Sequence, residues 1–471
     1  MKKLLWICGL YFVFLLVVTL IYFKERVLYV DSAFYAFNFI NNEFPAAEHS
    51  RYSLYIYQLI PWIALKLGFP ISIVLRLYSF SHVFIHALFF LILIKLKQPK
   101  LAILVTIIQF ISYRECFFLT VNETALSLSF TLLYIGIINS FKNAPVIISF
   151  TVLFLCVLFS FYSHPMSIVV ISFAIGYFIV DNFENKTKFN LKSNLSIAVL
   201  AFLLAFIVKK LFSESTGYEN NLYDQLKNFK AIVGNINNIY PTHFFFDSFK
   251  WQSYFMKMYW IPSIVFVVMI GYYALKKQWL KLIYYFLSVL GLWILTAIIF
   301  NQGDGNIFME KNFTPWVFIT LLPLFFVFDD TWMNKHGFYA CVLLLFIGLY
   351  SFYGISNYLP IFQKRVYLLD ELITIKNPNS QPKLLVHDST INHEEWLGTW
   401  ALPYESILLS KIKNMPTITA KVIHLQNYDE KMMYNNNTFI GADFFPILTT
   451  EYVLKNPKLK IENKPYVWIK Y

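Results

Sequence analysis

Charge is scarce in this chain. Only 14% of its 471 residues are Asp, Glu, Lys or Arg, and 58% are hydrophobic; soluble domains carry about 25% charge, so a soluble enzyme is excluded. Cysteine is rarer still. Cys8, Cys116, Cys156 and Cys341 are scattered through apolar stretches without CxxC spacing, which leaves neither a disulfide framework nor a thiolate metal site. No Rossmann or P-loop glycine signature and no internal repeat occurs. The net charge of +12 is spread as short lysine clusters between apolar runs, with no long basic tract or zinc-finger spacing, so nucleic acid is not the expected partner. Arginine is also sparse. Of 39 basic residues five are arginine: Arg26, Arg51, Arg76, Arg114 and Arg365. A lysine-rich sequence that keeps arginine at a few places suggests bidentate contacts to phosphate or carboxylate there.

What the chain does have is apolar runs of membrane-spanning length. Eleven are expected, at about 4–22, 71–94, 101–113, 123–140, 145–162, 165–180, 195–212, 258–275, 282–300, 313–328 and 337–355. The first follows Met1-Lys2-Lys3 and has no small-x-small cleavage site, so it reads as an uncleaved span. With the N-terminus cytoplasmic, the inner segments hold thirteen lysines against four acids, while the rest of the chain before 356 is balanced at thirteen basic and twelve acidic residues. The positive-inside rule therefore sets the orientation. The expectation is a mainly α, polytopic helix bundle of the bacterial inner membrane, residues 1–355, with its C-terminal segment on the extracytoplasmic side.

That segment, 356–471, carries thirteen basic and eleven acidic residues and is long enough to form a small α/β domain. Strands are expected at 383–387 and 419–424, with a helix at 403–413. Four outer stretches stand out before it: 23–70, the turn 113–123, the Asn- and Tyr-rich 213–257, and 301–312. Within the first, the amphipathic stretch Tyr52–Leu67 reads as a helix lying along the membrane interface.

Ionisable side chains near membrane depth are functional candidates by default. The richest group follows the first span: Asp31 and Tyr35, then Glu48-His49-Ser50-Arg51. Arg114 and Glu123 flank the second outer turn, His164 sits at the junction of the fifth and sixth spans, and Glu310-Lys311 opens a late span. His82 and His86 lie four apart on the second span, a spacing open to a metal pair or to two core histidines, the second weighing more. The stretch Gly398–Ser406 reads first as packing against the membrane domain.

A first span, an outer loop opening Asp31-x-x-x-Tyr35, a second acid Glu48 in that loop, an interfacial helix, many further spans and an outer C-terminal domain together resemble the GT-C glycosyltransferases. The resemblance implies transfer of a sugar from a polyprenyl-phosphate donor in the bilayer to an acceptor glycan, lipid or protein, with inversion. Asp31 would be the catalytic acid residue of the first loop and Glu48 the second. Lys311, Arg51 and Arg114 would hold the donor phosphate, with Tyr35, Glu123, His164 and Glu310 as further site candidates. A divalent metal ion on Asp31 and Glu48 is compatible with the same residues. The chemistry suits the residue types, since such transfer needs a base for the acceptor hydroxyl and positive charge on the departing phosphate. Alternatives are an O-antigen ligase or polymerase, whose late loop is arginine-rich where 301–312 has none, and a lipid-linked glycan flippase or other transporter.

Overall fold

A computed structural model describes residues 1–141, 144–185, 191–213, 227, 260–299, 306–327, 335–377, 379–423, 438–442, 449–462 and 464–469. The chain is mainly helical. Helix α1 (Lys2–Ile21) leads into a loop, expected from the sequence to be an outer one, that is itself helical, with α2 (Phe23–Val27), α3 (Val30–Asn42) and α4 (Tyr55–Lys66). Then follow α5 (Ile71–Lys95), α6 (Pro99–Cys116), α7 (Glu123–Ser140), α8 (Val146–Phe161), α9 (Ser167–Asn185), α10 (Leu191–Phe212), α11 (Trp260–Leu275), α12 (Trp279–Ile299), α13 (Asn306–Val327) and α14 (Gly337–Ile373). Each of the eleven expected apolar runs is helical. Six helices, α1, α5, α9, α10, α12 and α14, contain a stretch long and apolar enough to cross a membrane; α8, α11 and the Thr314–Val327 part of α13 are shorter apolar helices. Helices α6 and α7 are more polar because they run through the bundle interior, where Thr106, Gln109, Ser127 and Thr131 are buried.

Helix α1 shows why these runs are apolar on every side. Leu4, Cys8, Tyr11, Leu15 and Val18 form one buried stripe, while Trp6, Leu10, Val13, Phe14 and Val17 lie exposed on the other. A surface helix in water would place charge on that second face; an apolar second face suits a helix that can cross a membrane. Helices approach closely where glycine allows it. Gly348 and Gly354 of α14 face Phe110 and Arg114 of α6, and a Cβ at Gly354 would run into the Arg114 side chain. Small residues at such crossings are the rule for apolar helices packed in lipid.

Helix α14 is 37 residues long and runs unbroken through position 355/356. Beyond it lie β1 (Lys383–His387), α15 (His393–Trp396), α16 (Leu402–Ile412), β2 (Thr419–Ile423), β3 (Thr438–Ala442), β4 (Thr449–Val453) and β5 (Val467–Ile469). Strands β1 and β2 and helix α16 form where the sequence pattern puts them. Both neighbours of β1 in the sheet β2-β1-β5 are parallel to it, so the chain must cross over between β1 and β2, and α16 makes that crossing. β3 and β4 pair antiparallel.

The C-terminal segment shares its core with the first outer loop. Leu384, Val386, Tyr404 and Leu408 belong to the same buried apolar cluster as Phe34, Phe37, Tyr57 and Val74. At the seam, Tyr404 packs its ring 5.2 Å from those of both Phe34 and Phe37. Beside it Arg365 of α14 and Glu405 of α16 form a fully buried ion pair at 2.6 Å. Arg365 also donates to the carbonyls of Leu28 (2.6 Å) and Trp396 (2.8 Å), and Glu405 accepts from the Val30 N–H at 2.8 Å. Removing one partner strands a buried charge, at a cost of about 3–5 kcal/mol, whereas replacing both by apolar groups is often neutral or better. Glu405→Ala should therefore lower the melting temperature sharply in detergent. The double variant Arg365→Met, Glu405→Leu should recover most of that loss by the same measurement.

Candidate functional site

The loop acids are placed by helix ends. Asp31 lies in the first turn of α3 and Glu123 in the first turn of α7, where the exposed N–H groups and the helix dipole favour negative charge. Asn122 caps α7 by accepting from the Ala125 N–H at 3.0 Å and is held in turn by donating to the Ser112 hydroxyl at 2.7 Å. Between α3 and α4 the chain makes a tight turn in which the Arg51 N–H donates to the Glu48 carbonyl at 3.0 Å. The two middle residues, His49 and Ser50, have φ of 53° and 56°. Non-glycine residues seldom adopt that left-handed setting, and it recurs at functional sites.

This turn delivers Arg51 to Glu123, and the two form an ion pair while both remain largely buried. Tyr35, one turn beyond Asp31 on α3 and buried, sits among the charges. Burial holds its hydroxyl well above the usual phenol range; Glu123, Asp31 and Glu48 push the same way, and Arg51 opposes them. The α8–α9 junction closes one side. The Ser53 N–H donates to the Tyr162 carbonyl at 3.3 Å, and the rings of Tyr52 and Tyr162 lie 5.5 Å apart. In the same junction His164 accepts from the Met166 N–H at 3.2 Å. Helix α4 forms the rim. Its Tyr57, Pro61, Ala64 and Leu65 are buried, while Leu59, Ile63 and Leu67 present an exposed apolar stripe.

Other candidates lie elsewhere. Arg114 is buried with its guanidinium 4.7 Å from the Tyr350 ring, directed at α14. Glu310 and Lys311 belong to α13, but their side chains lie outside the described residues, as do 214–226, 228–259 and 301–305. His82 and His86 are buried core residues. The Tyr57 hydroxyl is 2.9 Å from His86 Nε2, Ser129 Oγ is 2.9 Å from its Nδ1, and the His82 ring stacks on Tyr57 at 4.1 Å. Among the described residues no three His, Cys, Asp or Glu side chains gather as a metal-holding set, so Asp31 and Glu48 would offer two carboxylates without a third ligand of this kind. Glu405 lies in the stretch Gly398–Ser406 that the sequence reads as packing, and that stretch does pack against the segment around Val30 and Phe34. The bond from the Val30 N–H to Glu405, beside Asp31, had no signal of its own in the sequence.

Searches of protein families, of curated proteins and of solved structures find nothing that matches this chain.

His49 gives the site a pH dependence. Burial, and then the Arg51 charge, hold its imidazole below the ordinary histidine range, with Glu123 acting the other way. The folded chain therefore binds this proton less readily than the unfolded chain does. Stability from this group is complete above the unfolded value, about 6.5, and is lost as pH falls through it. Asparagine tolerates the left-handed backbone and does not titrate. Melting temperatures of His49→Asn and the parent should therefore agree at about pH 8 and diverge in favour of the variant toward pH 5.

Proposed function

We propose that this protein is an integral-membrane glycosyltransferase of the GT-C type, moving a sugar from a polyprenyl-phosphate donor to an extracytoplasmic glycan, lipid or protein acceptor. The observation that supports the reading is the ion pair of Arg51 with Glu123, made by the same loop that carries Asp31 and Glu48, beside a helix whose exposed stripe is apolar. A carboxylate at a helix N-terminus can accept the proton of an acceptor hydroxyl as its oxygen attacks the anomeric carbon. The bond from that carbon to the phosphate oxygen breaks, and the leaving phosphate takes the electron pair. Arg51, with Lys311 as the second candidate, supplies positive charge for that oxyanion. The apolar stripe of α4 suits a donor whose chain stays in the bilayer while its head reaches the loop. No step needs a nucleotide-binding fold.

The decisive test is Asp31→Asn, which keeps size and hydrogen bonding but removes the basic oxygen. Loss of a general base typically costs about 10²–10⁴ in rate, so transfer measured at saturating donor should fall by that factor with melting unchanged. Glu43→Gln is the control, because Glu43 is an exposed residue paired with Lys66 at 2.8 Å and should keep full activity. Retained transfer in Asp31→Asn removes the assignment.

The reading also places the C-terminal segment outside the cytoplasm, on the lysine bias of the opposite loops. Alkaline phosphatase joined after Tyr471 should be active in cells. Activity of a cytoplasmic reporter at that point would put the loop acids on the wrong face for a lipid-linked donor used outside.

A further inference from the structure

Helix α3, which carries Asp31, is gripped by the C-terminal segment at both ends. At its start Glu405 Oε1 accepts from the Val30 N–H at 2.8 Å, and Arg365, bonded to both carboxylate oxygens of Glu405, donates to the Leu28 carbonyl at 2.6 Å. At its end Asn41 Oδ1 accepts from the Lys455 N–H at 2.8 Å, Asn41 Nδ2 donates to the Val453 carbonyl at 3.0 Å, and Asn456 Nδ2 donates to the Ile40 carbonyl at 2.8 Å.

The grip at the start holds the backbone away from its ordinary conformation. Val30 has φ of 30°, a setting that β-branched residues avoid. Opposite it lies Gly398, at φ 110°, where a Cβ would make ordinary contact with Val30 Cγ1 at 3.5 Å, and whose carbonyl accepts from Arg365 at 3.2 Å. Released from Glu405, Val30 would relax to negative φ and turn the first residues of α3, Asp31 included.

We propose that Glu405 and Arg365 are positioning residues: through the backbone of Leu28 and Val30 they fix where Asp31 stands in the outer-loop site, so the C-terminal segment is a working part of that site. What Asp31 does there rests on the transferase reading; that Glu405 and Arg365 set its position does not.

The test reads position 31 directly. In the full-length protein purified in detergent, Cys341→Ser leaves Cys8, Cys116 and Cys156, all buried, and Asp31→Cys adds one thiol in the loop. Its rate of modification by a charged methanethiosulfonate is compared with that of Tyr52→Cys, an exposed position of the same loop. Adding Glu405→Leu, which removes the acceptor for the Val30 N–H, should change the rate at 31 by roughly tenfold or more and leave 52 within about twofold, as local release of one segment does. Where Glu405→Leu does not fold, the pair Arg365→Met, Glu405→Leu, which lacks the same acceptor, is read by the same criterion. An unchanged rate at 31, or an equal change at 31 and 52, overturns the proposal. In the transfer assay Glu405→Leu, or that pair, should lower kcat and leave the donor KM unchanged. Full transfer by Asp31→Asn would sink the transferase reading and leave the labelling result standing. Unchanged labelling with Asp31→Asn inactive would sink the positioning role alone.

Discussion

The union of the C-terminal segment with the loop after α1 depends on one buried ion pair. Arg365 and Glu405 are taken wholly out of water, and burial pushes the Glu405 carboxyl upward while Arg365 draws it down. Such a pair is tolerable where geometry satisfies the remaining donors and acceptors. Here the carbonyls of Leu28, Trp396 and Gly398 and the N–H of Val30 do so. These partners come from the loop after α1 and from the segment around α15, while the pair itself joins α14 to α16. A mismatch in any one leaves a polar group stranded, so the pair specifies how the C-terminal segment docks as well as holding it there.

In the remainder of the bundle the exposed faces are apolar, as α1 shows with no polar side, which suits a hydrocarbon surround. Inside, a number of polar groups pair across the bundle. The Ser351 hydroxyl of α14 donates to the Phe110 carbonyl of α6 at 2.7 Å, and Thr120 donates to the carbonyl of the buried Arg26 at 2.5 Å. The first joins two helices and the second ties α2 to the loop before α7, contacts that apolar packing alone would leave free to slide.

The helices could be read from the sequence because lipid-facing helices need long apolar runs, and position after position supplies them. The loop acids Asp31 and Glu123 were readable as candidates for a different reason: charge is rare here, so each one carries weight. The pairing of Arg51 with Glu123 was not readable. It depends on a left-handed turn at His49 and Ser50, residues with no glycine to announce it. The arginine suspicion divides on inspection. Arg51 and Arg365 do make carboxylate contacts, but with this chain's own Glu123 and Glu405. Arg26, Arg76 and Arg114 lie over Phe23, Phe117 or Tyr350 rings at 4.1–4.8 Å, a packing role that sequence cannot distinguish from phosphate binding. The C-terminal segment looked self-sufficient by length and composition, yet its core is completed by Phe34 and Phe37, a long-range pairing that no local pattern encodes.

Helix α14 has a mechanical consequence. At about 1.5 Å per residue its 37 residues span about 55 Å, against a hydrocarbon core of about 30 Å. Arg365 stands about 42 Å along it from Gly337. The helix is then a lever whose far arm holds the start of α3. A change of tilt of about 5° at the Gly337 end moves the Arg365 end sideways by roughly 4 Å, more than the length of any hydrogen bond there. The tilt of α14 is thereby coupled to the geometry around Asp31.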